Sequence, residues 1–81
     1  ITRAEGLTFA LRAGGVQIPN DFDGQTFYAD VDPNSWYANV INRAVKVKFL
    51  KPRKRIKNYF RPTEIITRAE YLELLLKTTK A

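Results

Sequence analysis

Apolar residues recur at helical spacing in three stretches of the chain: Ala4, Leu7 and Leu11; then Trp36, Val40, Ile41, Ala44 and Val45; then Ala69, Leu72, Leu75 and Leu76. Steps of three and four put each set on one face, which predicts three amphipathic helices. Gly14-Gly15 supplies a stop for the first. Residues 16 to 31 mix polar and apolar positions with Pro19, Asn20, Asp21, Asp23 and Gly24, so they read as a long connecting loop. Asp32-Pro33-Asn34-Ser35 offers caps and turn chemistry ahead of the second helix. Pro52 interrupts any helix through the stretch that follows, and Pro62 makes residues 59 to 65 a short extended segment. The pattern predicts an all-α fold of short helices and long loops, with little or no sheet.

The first and third helices open on the same words. Ile-Thr-Arg-Ala-Glu stands at residues 1 to 5 and again at 66 to 70, and seven of fourteen aligned positions are identical, including Leu7 with Leu72 and Leu11 with Leu76. Each copy has the Thr-x-x-Glu signature of a capping box, Thr2 with Glu5 and Thr67 with Glu70. In the second copy Ile66 and Tyr71 can add a hydrophobic staple, whereas Gly6 stands at that position in the first copy and the staple is lost. The first helix is therefore expected to start less firmly.

Composition narrows the chemistry. The 81 residues contain no Cys and no His, which excludes a disulfide framework, thiolate or imidazole metal sites, and Ser-His or Cys-His nucleophile pairs. No metal or cofactor is expected. No carboxylate pair falls plausibly in a cleft, and no glycine-rich phosphate cradle occurs, so an enzyme is not expected. No apolar run is long enough for a membrane span. The formal charge of +6 is concentrated in residues 46 to 57, KVKFLKPRKRIK, which hold seven of the fourteen basic residues and no acid. That run reads either as a solvated loop or as a site for a polyanion, and charge alone does not choose among nucleic acid, lipid surface and acidic polysaccharide. Nucleic acid is disfavoured because no recognition motif accompanies the charge.

Taken in order, these landmarks resemble the S-layer homology (SLH) family of bacterial cell-surface domains. Phe27, Asp30 and Val31 correspond to the entry of one unit, Trp36-Tyr37 to the opening of its first helix with Ile41 and Ala44, Phe60-x-Pro62 to its middle, and Ile66 to Glu70 to its last helix. Residues 1–15 then resemble the closing helix of a preceding unit, 16–26 a connecting loop, and 27–81 one SLH-like unit containing basic loop 46–57. The chain departs from the family where a glycine-rich turn is usual, having KPRKRIKNYF at 51–60 instead.

The resemblance implies a non-catalytic, extracellular module that anchors its parent protein to a bacterial cell wall by binding an anionic, often pyruvylated, polysaccharide. It implies Arg3 and Arg68 as anion ligands, Glu5 and Glu70 shaping the same cap regions, and Asp30, Trp36 and Tyr37 as further contacts. Lys51, Arg53, Lys54, Arg55 and Lys57 of the basic loop are additional candidates. A guanidinium beside a helix N-terminus suits a carboxylate, through bidentate bonding and the positive end of the helix dipole. Each residue also has a structural reading: Thr67 and Glu70 as caps, Trp36 as a core anchor, Arg68 as an ion-pair partner. The resemblance further implies packing into a larger pseudo-trimeric or oligomeric bundle, since one and a third units leave helix faces for further units or copies to cover. A structural module making protein contacts within a surface layer or envelope complex is the alternative function.

Overall fold

The computed structural model describes residues 1–18, 20 and 22–79, with side chains through Lys77. Pro19 and Asp21, two of the expected turn residues, lie outside the described residues. Three helices follow in chain order: α1 (Arg3–Ala13), α2 (Ala38–Lys46) and α3 (Arg68–Thr79). No strand occurs among the described residues, and the fold is all-α.

The two start signals act as the sequence predicts. At α1 the Glu5 N–H donates to the Thr2 hydroxyl at 3.2 Å while the Thr2 N–H donates to the Glu5 carboxylate at 2.9 Å. At α3 the Glu70 N–H donates to Thr67 and the Thr67 N–H to Glu70, both at 3.1 Å. Each box satisfies a first-turn amide that would otherwise lack an acceptor. Helix α1 ends at Gly14-Gly15, where Gly15 takes φ 76°.

Helix α2 begins two residues later than the Trp36 start expected for it. The Asp32–Ser35 cluster spends its polar groups on its own turn: the Asn34 N–H reaches Asp32 Oδ1 at 2.9 Å and the Ser35 hydroxyl reaches the Asp32 carbonyl at 2.6 Å. Such local bonds compete with helix nucleation, so Trp36 and Tyr37 fall in a turn and Tyr37 precedes α2 with no side-chain cap. The segment expected to be extended, 59 to 65, instead contains a turn at Pro62-Thr63 and ends in a single antiparallel bridge from Ile65 to Thr2.

That bridge stitches the two copies together. The Arg3 N–H donates to the Glu64 carbonyl at 2.8 Å, the Ala4 N–H to Pro62 at 3.0 Å, and the Ile66 N–H to Ile1 at 3.0 Å. First-turn amides of α1 thus find acceptors in the segment leading into α3. These bonds stand where the staple expected to be missing from α1 would have helped anchor its start.

The core forms where α1 meets α2. Leu7, Leu11 and Ile41 are fully buried, with Ala10, Ala38 and Ala44 allowing the helices to approach, and Val31, Phe49 and Phe60 closing the ends from the loops. Each large apolar side chain taken from water contributes about 1.5–3 kcal/mol. Helix α3 packs on another side of α1 and corrects the predicted stripe: Leu74 and Leu75 turn toward the core, while Ala69, Leu72 and Leu76 face outward. Leu72 and Leu76 are 52% and 63% exposed, although their repeat partners Leu7 and Leu11 are at 0%. Helix α2 lies over the first pair, and no described helix lies over the second.

Gly6 makes the α1–α3 contact possible. A Cβ built there would stand 2.8 Å from Ile66 Cδ1 and 3.4 Å from Tyr71 Cδ1. The residue that the first copy lacks is replaced in space by the staple pair of the second. Gly6→Leu, which restores the apolar residue at that position, is expected to cost about 2 kcal/mol through overpacking. Chemical denaturation would show it as a lowered midpoint; a midpoint equal to that of the parent chain would contradict the close approach.

Candidate functional site

Arg3 and Glu70, expected in separate anion sites, meet each other. The Arg3 guanidinium pairs with the Glu70 carboxylate, donates from Nε to the Phe60 carbonyl at 2.7 Å, and lies 5.1 Å from the centre of the Phe60 ring. Burial lowers the Arg3 pKa from its ordinary value, with the neighbouring Arg61 charge acting the same way. Glu70 uses its other oxygen on the cap of α3. Asp30 completes this cluster from below: its two oxygens accept from the Phe60 and Arg61 N–H groups at 2.8 and 2.7 Å. These three residues hold Phe60 and the α1–α3 junction in place. A pocket of about 130 Å³ adjoins them, lined by two cations, Arg3 and Lys77, and two carboxylates, Glu70 and Glu73, so an incoming anion there meets no net positive charge and competes with Glu70 for Arg3.

Arg68 has the opposite setting. It is exposed at the start of α3, and among the described residues it has no ion-pair partner. The identical pentapeptides therefore present one spent arginine and one available arginine. Glu5 caps α1 through Thr2 and shares no polar contact with Arg68. Trp36, given a structural reading as a core anchor, is 60% exposed and sits edge-on to Tyr37, with ring centres 5.5 Å apart at 88°. The early turn explains this, because Trp36 precedes the buried face of α2. Neither ring has a polar or ring contact with the Arg3–Glu70 cluster among the described residues.

The basic run takes a definite shape. Helix α2 ends at Lys46, whose ammonium pairs with Asp23 at 2.9 Å. Among the described residues, Lys48, Lys51, Arg53, Lys54, Arg55 and Lys57 have no carboxylate partner. The loop closes on Asn58, which the sequence reading did not single out: its amide group donates to the Arg53 and Ile56 carbonyls at 2.8 and 3.2 Å and accepts from the Arg53 N–H at 3.0 Å. The Asn58 carbonyl accepts from the Ala29 N–H at 2.8 Å, fixing this ring to the rest of the molecule. Asparagine's tendency to bond nearby backbone was the available signal.

The loop bounds a cleft of about 560 Å³. Phe27, Val45, Leu50 and Ile56 form its apolar surface, and Lys48, Lys51, Arg53 and Lys54 stand on its rim. A second cleft of about 440 Å³ shares Lys48 and Lys51 with the first and continues to Lys77 of α3. No acidic residue lines either one.

The loop from 16 to 31 is held by Asp23. Its carboxylate accepts from Lys46 and from the buried Asn42 amide, both at 2.9 Å, and from the Gln25 N–H at 3.0 Å. The Lys46 bond, followed by the Gln25 N–H, holds the Asp23 pKa below its ordinary value, and the bonds from Thr2 do the same for Glu5. Both carboxylates are favoured as anions in the folded state, so their contribution is complete above about pH 5, where the unfolded chain is also ionised, and is lost as the pH falls through their lowered folded-state values. Melting temperature is expected to be level near neutrality and to fall on the acid side. Thr2→Val, which removes the hydroxyl bonds to Glu5, should make that fall shallower.

Comparison of the chain with models of known families, with curated proteins and with solved structures gives no match.

Proposed function

We propose that this chain is a non-catalytic attachment module, SLH-like in its repeat and landmarks, which binds an anionic polysaccharide of the bacterial cell envelope outside the cell. The observation that carries this reading is the basic loop. Among the described residues, six cations without carboxylate partners stand on a segment whose backbone is shaped by Asn58. Uncompensated like charges repel one another, and a polyanion relieves that repulsion. Arg68 adds an available guanidinium at the start of α3, and the exposed Trp36 ring offers a face on which a sugar can stack. A pyruvylated polymer fits the same chemistry, because its ketal carboxylates suit guanidinium forks.

The test is co-sedimentation with purified wall polysaccharide before and after its carboxylates are reduced to alcohols. Binding is expected to the native polymer alone, to disappear when Lys51, Arg53, Lys54, Arg55 and Lys57 are all changed to Gln, and to weaken several-fold in Arg68→Ala at unchanged melting temperature. Full retention by the loop variant would sink the proposal. DNA at matched charge is the control; tighter binding to DNA than to the polysaccharide would move the assignment to nucleic acid.

A specific observation favours a second reading, assembly with other protein units. Arg3 is consumed by a carboxylate of the chain itself, and α3 shows Leu72 to solvent. Concentration-dependent sedimentation abolished by Leu72→Asn, with no affinity for wall polymer, would establish it.

A further inference from the structure

The two adjoining clefts of the basic loop go beyond a diffuse positive surface. The larger combines an apolar surface, on which Phe27 and Ile56 are partly exposed, with four rim cations. A bare inorganic anion would leave that apolar area in water, and an uncharged apolar ligand would leave the cations unused. The occupant that satisfies both has a negative group joined to a ring with an apolar face. The smaller cleft shares the Lys48–Lys51 wall and continues the cationic track toward Lys77, which suits a chain of such units.

Backbone conformation supplies an independent observation. Among the described residues, four non-glycine residues take left-handed φ: Phe27 at 65°, Lys48 at 64°, Arg55 at 67° and Arg61 at 57°. Phe27 and Lys48 line the larger cleft, and Arg55 lies in the loop between two of its other lining residues, Lys54 and Ile56. This conformation is costly for residues bearing a Cβ, and such strain concentrates where side chains are held for a ligand. At Lys48 the left-handed backbone also closes α2 in a Schellman motif, with the Phe49 N–H on the Ala44 carbonyl at 2.8 Å and the Lys48 N–H on the Val45 carbonyl at 3.0 Å. Glycine is the usual residue there, and lysine in its place supplies a rim cation, so the strain that points to a ligand is that at Phe27 and Arg55.

We propose that a carboxylated glycan strand lies across these two clefts. The apolar face of one sugar ring rests on Phe27 and Ile56, its carboxylate meets the rim cations of the larger cleft, and the next unit passes over the Lys48–Lys51 wall. This rests on the polysaccharide reading above and assigns it a subsite separate from Arg3 and Arg68.

Calorimetry at low salt with the whole chain tests it, using an oligogalacturonate and a polyglutamate matched for length and charge. The uronate is expected to bind about tenfold tighter. Ile56→Asn, at an exposed position, should erase that preference while leaving the polyglutamate affinity in place. Lys51→Gln with Lys54→Gln should weaken both probes and flatten their salt dependence. Lys48→Gly should raise the melting temperature while lowering uronate affinity, an opposition that a purely structural lysine would not produce. Equal affinity for the two probes, or a preference that survives Ile56→Asn, overturns the glycan subsite but leaves polyanion binding standing if the double lysine variant still weakens both. Absence of binding to either probe, or affinities unchanged in the double variant, overturns the subsite and the polysaccharide reading together.

Discussion

Leu7→Ala is expected to cost about 3 kcal/mol, whereas the same change at its repeat partner Leu72 should cost less than about 0.5 kcal/mol. The two leucines occupy equivalent places in nearly identical helix openings, so neither helix propensity nor capping distinguishes them. Their surroundings do. Leu7 is wholly enclosed in the cluster with Ile41 and Phe60, and its removal leaves a cavity that the small residues Ala10, Ala38 and Ala44 cannot fill. Leu72 stands more than half in water, and truncation there removes little buried area. Urea unfolding followed by circular dichroism would measure both. A domain of this size has a total stability on the order of 5 kcal/mol, so Leu7→Ala should keep only about 2 kcal/mol, remaining mostly folded at room temperature but unfolding at a much lower urea concentration. Equal losses at the two positions would mean that α3 is covered in solution by another molecule.

The second large effect is expected at Glu70. Glu5→Ala removes one capping box and should lower the denaturation midpoint only slightly. Glu70→Ala removes the corresponding box and also strips Arg3 of its carboxylate while the guanidinium remains against the Phe60 ring. Leaving a largely enclosed cation unpaired is costly. Because Arg3 keeps its bond to the Phe60 carbonyl and some contact with water, the full loss should be about 3 kcal/mol, below the upper range for a deeply buried pair. A double-mutant cycle with Arg3→Ala isolates the pair and should return a coupling of at least about 1 kcal/mol. A coupling near zero would show that the pair adds nothing in solution.

Local chemistry was legible in the sequence. Thr2 with Glu5 and Thr67 with Glu70 announce helix starts because their partners lie three residues away, and Gly14-Gly15 announces a stop for an equally local reason. The neighbours of each helix were harder to read. Periodicity put Ala69, Leu72 and Leu76 on one face but did not say whether another helix would lie over it. The repeat encouraged the expectation that Arg3 and Arg68 would be equivalent, yet Glu70 of one copy takes the arginine of the other. Asp30 appeared as a ligand candidate and serves as an acceptor for two backbone amides, a role that depends on contact with residues thirty positions away. The basic run was visible at once. Its cleft was not, because the shape depends on Asn58 and on left-handed backbone at ordinary residues.

The backbone pairing between the opening residues and the segment at 62–66 also bears on how the molecule forms. Helical proteins usually reach their native state quickly because most of their contacts are close in sequence. Here the amides of Arg3 and Ala4 must wait for carbonyls about sixty positions downstream. During synthesis α1 therefore leaves the ribosome well before its docking partner, and its consolidation waits until the segment at 62–66 has also emerged.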